Sequence, residues 1–400
     1  MNMQFEKWSA TGALAPEFFK EGDILGMCSG GRPYCTGKWV STVKVQPGTT
    51  YETKVEYLAE NASDTVYFFR AMVNWRDADG NYIQREYLSP AEAAPDGYTH
   101  MYNKACAPAK AAQAEIELAL LAPGTVRWRN ASMEETAPVT PRPVRIASAF
   151  FEPRRNLDKN LEVMLALTDK AGQQKADVLL FTESCYDRGV MPIEKKCVPM
   201  DTVNPGPVKQ FAEKAKQYNC NIMLNLTEGE DGFFFNTTVL IDRAGQVVGK
   251  YRKSHLPTAE IEIGYSPGNE LPVFDMDFGK VGVLTCFDMN FVQNGQRLRS
   301  QGAEIIFVPT IGSFMMCSLM QAHQHGLYVV MSGGDAPLPS RVVAPNGEVL
   351  GSVDGSCDDI AFADIDLAQP CYNMGTGFYP AIADSRHALF HQQRPELYSS

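Results

Sequence analysis

The chain has 400 residues, 44% hydrophobic and 21% charged, with a formal net charge of -11. At roughly 100 to 200 residues per domain this length holds two or three domains, each able to bury a core of its own. Acidity without a basic block argues against nucleic acid or an anionic membrane as partner, because both need clustered Lys and Arg against phosphate. No apolar run approaches the roughly 18 to 20 residues needed to cross a bilayer, and residues 1–30 lack the compact apolar stretch of a signal peptide. The expectation is a soluble, cytoplasmic protein.

In chain order, the first third alternates apolar and polar residues between turn signals. The runs are 38–45 (KWVSTVKV), 51–57, 65–75, 82–87, 114–120 and 125–128, with turns at Pro47-Gly48, 77–80 and Pro123-Gly124. This rhythm predicts an antiparallel β-sandwich over residues 1–142. The tryptophans, Trp8, Trp39, Trp75 and Trp128, all lie in it and are read first as core and second as platforms for a sugar. Asp77, Asp79 and Gly80 are read as a turn, with calcium as the alternative. The seam is the proline-rich stretch 135–143, ETAPVTPRP, which opposes both helix and central strand.

After the seam, apolar strands alternate with helices. The strands are 144–150, 178–181, 221–226, 235–241, 246–251, 281–285, 304–308, 327–331, 340–343 and 360–365, and the helices 156–170, 207–218, 296–301 and 315–326. This pattern predicts an α/β domain with covered sheet faces over residues 143–400. The ten cysteines are scattered, with no CxxC pair and no histidine cluster beside them. They are expected to be mostly reduced, buried thiols in a reducing compartment, with no disulfide framework and no metal.

Three polar residues stand immediately after buried strands: Glu183 in LLFTES, Lys253 in GKYRKSHLP and Cys286 in GVLTCFD. Each alone has an ordinary reading as a cap, a solvated lysine or a core thiol. Together they form a chemical set. A carboxylate can take a thiol proton, the thiolate can attack a carbonyl or nitrile carbon, and a fixed ammonium can hold the resulting oxyanion.

These segments, with GYSPGNELPVFD, GAEIIFVPT, RVVAPNGEVLG, DIAFADIDL and the tail RPELY, resemble the nitrilase superfamily of carbon-nitrogen hydrolases over roughly residues 143–398. The resemblance implies an αββα sandwich in which Glu183 is general base, Cys286 nucleophile and Lys253 the oxyanion's cation, with the N–H of Phe287 as second donor. It also implies a second glutamate, for which Glu260 fits better than Glu262. Phe287, Asp288 and Asn290 are expected at the substrate or the oxyanion. No metal or organic cofactor is implied. The N-terminal module resembles the jelly-roll, galactose-binding-like domains often attached to enzymes.

Cys286-Phe287-Asp288 looks like the amidase branch of the family, so the expected substrate is a small linear carboxamide or N-carbamoyl compound. A nitrile substrate and acyl transfer to an amine are the alternatives within the fold. A non-catalytic glycan-binding protein is the alternative from another class. Thr182 stands where the family usually has proline, NFVQNGQ lacks the usual Pro-Glu, and the helix SLMQAHQHGLY has His323 and His325 in place of an arginine. The histidines point opposite ways on a helix, so they are read as surface or oligomer contacts. The expected partners are a small amide-type substrate, a carbohydrate at the N-terminal domain and a second copy of the chain, braced by residues 384–400.

Overall fold

The structure is a computed structural model, and it describes residues 3–60, 69–121, 123–199, 206–312, 314–333, 339–374 and 382–389. By backbone contacts the chain divides into Met1–Thr140 with Pro370–Ser400, and Pro141–Gln369.

The first unit consists of two sheets. One has the order Glu6–Ser9, Gly37–Lys44, Gln113–Leu120, Phe69–Arg76, Tyr82–Tyr87, Ile382–Asp384, Tyr372–Met374. The other runs Glu17–Glu21, Ile24–Cys28, Thr125–Glu135, Thr50–Glu60, Thr99–Cys106, Ser89–Ala93. Alternation does its expected job: along Gly37–Lys44 every second residue is buried. Trp39, Trp75 and Trp128 lie in the shared core with Tyr51 and Phe69, while Trp8 is exposed. Asp77 is a turn residue, its Oδ1 accepting from Asp79 N at 3.0 Å and Asn81 N at 2.8 Å. The predicted strand 65–75 lies partly outside the described residues, and Ser89–Ala93 and Thr99–Cys106 lacked a clear sequence signal.

The expected single domain over 143–400 is corrected at its end, because the chain returns to the first unit at Pro370. Ile382–Asp384 pairs parallel with Tyr82–Tyr87, the one departure from antiparallel pairing in that unit among the described residues. This pairing satisfies an edge that would otherwise present open N–H and C=O groups. Glu86 ties it down: Tyr372 donates to Glu86 Oε1 at 2.6 Å, and Gln84 Nε2 donates to the Tyr372 hydroxyl at 2.8 Å. The tail motif RPELY and the rest of 390–400, expected to brace a dimer, lie outside the described residues.

The second unit has a helix, sheet, sheet, helix layering. Its first sheet runs Val247–Arg252, Phe233–Ile241, Asn221–Glu230, Val178–Leu180, Pro143–Phe150, Asp359–Asp366, with the helices Leu157–Gln173 and Pro207–Tyr218 packed on it. The second runs Val273–Met276, Gly279–Val283, Ile305–Pro309, Tyr328–Ser332, Arg341–Val343, Val349–Ser352, covered by Val292–Ser300 and Met315–His325. Buried hydroxyls stitch the sheets together, as Thr182 Oγ1 donates to Thr310 O at 2.7 Å and Ser340 Oγ to Ala149 O at 2.8 Å. Strands covered on both faces can be apolar throughout, which is why Val178–Leu180 and Ile305–Pro309 are buried at every residue. Asn156 caps the first helix by accepting from Lys159 N at 2.9 Å.

Among the described residues no two cysteines are joined in a disulfide. The expectation that most are buried is corrected: Cys35, Cys185 and Cys220 are, whereas Cys106 and Cys357 are exposed. Among the described residues no helix is long and apolar enough to cross a membrane.

Candidate active site

The second unit collects its reactive groups where strands end. Glu183 follows Val178–Leu180, Lys253 follows Val247–Arg252 and Cys286 follows Gly279–Val283, so two residues come from the first sheet and one from the second. Each strand fixes its side chain while the following loop stays open. Ser184 and Cys286 both have φ of 49°, a left-handed backbone that non-glycine residues adopt at a cost of about 1 to 3 kcal/mol and that marks tightly held turns.

Lys253 is the hub. Its Nζ donates to Glu183 Oε1 at 2.9 Å and to Glu260 Oε1 at 2.6 Å. The Cys286 thiol lies within electrostatic reach of the Glu183 carboxylate, the Lys253 ammonium and the Ile311 N–H. Glu183 is fully buried and held on both oxygens: Asn236 Nδ2 donates to Oε1 at 2.9 Å, and Ile311 N to Oε2 at 3.1 Å. Asn236 is in turn oriented by Asn225, whose Nδ2 donates to Asn236 Oδ1 at 2.9 Å. Glu260 Oε2 is buried and has no hydrogen-bond partner among the described residues.

Burial by itself would lower the Lys253 pKa, but the charges of Glu183 and Glu260 outweigh it and hold the ammonium above its ordinary range. Burial, then the charge of Glu183, raises Glu260. Burial, then the charge of Glu183, pushes the Cys286 thiol up to about 12 against the opposing pull of Lys253, so the thiol rests neutral.

The structure brings Glu183, Lys253, Glu260 and Cys286 together and leaves Glu262 exposed. The expected substrate role of Asp288 does not match its surroundings. Its carboxylate is buried and already accepts from Tyr251 OH at 2.7 Å, Thr285 N at 2.8 Å and His255 N at 2.9 Å. Asn290 is exposed, its amide donating to Phe287 O at 3.1 Å. Phe287 is the second residue of the tight turn Cys286–Asn290, directly after the thiol. His325 is not the surface residue expected, since it is buried with Nε2 3.0 Å from Val292 O. Asn225 and Asn236 were missed, although polar residues interrupting the apolar strands NIMLNLTEGE and FFFNTTVLI were a signal. A neighbouring cleft of about 540 Å³ is lined by Ser254, His255, Arg297 and Glu270, without Cys286.

Layering and cluster together define the class: an αββα sandwich with a thiol, two carboxylates and an ammonium gathered at its strand ends. The chain belongs to the carbon-nitrogen hydrolase family, whose model matches residues 145–370. It is 29% identical over 259 residues to deaminated glutathione amidase of Dictyostelium discoideum, covering 56% of this chain and 88% of that protein. It is 30% identical over 230 residues to citrullinase of Francisella tularensis, covering 49% and 76%. An amidase from Nesterenkonia sp. shares the fold at a TM-score of 0.52 and 19% identity, over 64% of this chain and 95% of that one.

Proposed function

We propose that this protein hydrolyses a small linear carboxamide or N-carbamoyl compound through a thioester on Cys286. The observation that carries the reading is the convergence on one carboxylate: Lys253 Nζ lies 2.9 Å from Glu183 Oε1, and the Cys286 thiol is within electrostatic reach of that same group. The names of the two relatives, an amidase and a citrullinase, support a carbon-nitrogen bond of this kind.

Because the resting thiol is protonated, attack and proton loss have to be coupled. As Cys286 Sγ bonds to the carbonyl carbon, its proton passes to Glu183. The oxyanion meets the Lys253 ammonium and the N–H of Phe287. Glu183 then returns the proton to the leaving nitrogen, the C–N bond breaks, and a thioester remains. Water attacks the thioester, giving its proton to Glu183, and the departing sulfur recovers it as the acid leaves. Glu260, tied to Lys253 by one oxygen, keeps its other oxygen for the N–H groups of the substrate.

The first unit is read as a jelly-roll β-sandwich serving as an accessory module. With three of its four tryptophans buried, a sugar would have Trp8, Tyr34 and Tyr102 to stack on. Free cysteines among the described residues are in keeping with a reducing, cytoplasmic setting, and a homodimer is proposed as the working form.

The test is ammonia release from a panel of aliphatic amides, N-carbamoyl amino acids, citrulline and nitriles, beside Cys286→Ala. Release from at least one amide or carbamoyl compound that is lost in the variant is expected. Equal rates for the two proteins, or release from nitriles alone, would overturn the reading.

A further inference from the structure

Lys253 and Cys286 must converge on one oxygen atom, yet they are delivered by different sheets. Catalytic geometry tolerates errors of about 0.5 Å, so something must fix one sheet's loop against the other's. The carboxylate of Asp288 is in position to do so. Oδ2 accepts from Thr285 N, the residue before the nucleophile, at 2.8 Å, and from Tyr251 OH at 2.7 Å. Oδ1 accepts from His255 N at 2.9 Å and from Ser254 Oγ at 3.2 Å, with His255 Nδ1 at 3.0 Å. Tyr251, Ser254 and His255 bracket Lys253 on the chain. Two further contacts close the arrangement: Asn294 Nδ2 donates to Asp288 O at 3.0 Å, and the Phe291 ring stacks on His255 at 4.1 Å.

We propose that Asp288 is a positioning residue, a clasp that locks the lysine loop of one sheet to the nucleophile turn of the other, and not a ligand for substrate. Its oxygens are saturated by donors from both segments and its side chain is fully enclosed, which leaves no lone pair for a substrate. The turn it holds is costly, since Cys286 has φ of 49°, and such a backbone persists only where its surroundings over-determine it. The idea rests on the proposed role of Cys286 and Lys253 in a common reaction.

The clasp makes an unusual pair of expectations. Releasing the turn separates Cys286 from Lys253, so turnover falls. It also opens the turn around a thiol that is now half-buried, so its accessibility to a small alkylating agent rises.

The experiment compares Asp288→Asn, Asp288→Glu and the milder Tyr251→Phe in two assays. One measures kcat and KM on the amide turned over by the parent protein. The other follows iodoacetamide labelling cysteine by cysteine, by mass spectrometry. The expected result is a kcat lower by about 100-fold for Asp288→Asn with KM within about twofold, and no rescue by Asp288→Glu, which restores charge but not position. Tyr251→Phe, which deletes one donor and keeps the ring, should move the same way by about tenfold. Labelling of Cys286 should rise about tenfold while Cys185 and Cys220, buried in the same unit, stay protected.

A tenfold rise in KM at constant kcat would make Asp288 a substrate ligand and overturn the clasp. So would unchanged labelling and turnover, or labelling of Cys185 and Cys220 in step with Cys286, which is general unfolding. If the parent protein turns over no amide but selective Cys286 labelling still rises, the clasp stands and the proposed reaction falls.

Discussion

Gly268 offers a way to move the lysine without touching it. Its N–H donates to Lys253 O at 2.9 Å, so this chain segment lies directly against the strand end that presents the ammonium. A Cβ at residue 268 would stand 2.3 Å from Arg252 O and 2.9 Å from Arg252 C. An ordinary contact is about 1 Å longer, and a backbone carbonyl cannot rotate aside as a side-chain tip can. Gly268→Ala therefore has to displace the Arg252–Lys253 backbone by about 1 Å. The Nζ contacts at 2.9 Å and 2.6 Å do not both survive such a shift. Misplacement on this scale costs about 100-fold in rate, and the overpacking costs about 1 to 3 kcal/mol in stability. The assay is the initial rate of ammonia release beside urea denaturation. Gly12→Ala serves as control, because a Cβ there meets nothing within 4 Å. A Gly268→Ala protein with parental kcat, whatever its stability, would refute the claim that the strand end sets the position of Lys253.

Lys253→Met should destabilise the second unit by about 3 to 5 kcal/mol near pH 7, because it leaves the carboxylates of Glu183 and Glu260 without their buried counter-charge. A urea midpoint equal to that of the parent would count against this. In the first unit, burial pushes Glu86 up from the usual 4.5 to about 7, beside Tyr372, Asp384 and Arg386. The folded state thus holds this proton more tightly than the unfolded chain. Its contribution is fully present below about pH 4.5 and is lost as pH rises through about 7. Glu86→Gln should flatten that decline, read as urea midpoints of the first unit's transition at about pH 5 and about pH 8. An unaltered pH dependence in the variant would mean that Glu86 is not its source.

Which residues could be read in advance, and which could not, follows from the range of the interactions involved. Glu183, Lys253 and Cys286 were visible because each is a polar residue placed just after an apolar strand, a local pattern. The choice of Glu260 over Glu262 was weaker. On the five-residue helix Thr258–Glu262 the two carboxylates point apart, and packing selects which one meets Lys253. Asp288 was misread for the same reason. Proximity in sequence to Cys286 suggested contact with substrate, whereas most of its donors come from residues 251–255, which only folding brings near. Asn236 left a trace as a polar residue in an apolar strand, but nothing local indicated that its amide would face Glu183.

By itself the sequence determined the two-unit plan, the strand rhythm of each unit and the identity of the chemical groups, because periodicity and strand-end polarity are written within a few residues. Tertiary structure alone decided that residues after Pro370 rejoin the first unit, that Glu260 meets Lys253, and that the Asp288 carboxylate faces donors from Tyr251, Ser254, His255 and Thr285. Those outcomes depend on hydrogen bonds and ion pairs between distant segments. Their energies appear only when burial removes competing water, and no local pattern encodes which partner will be there.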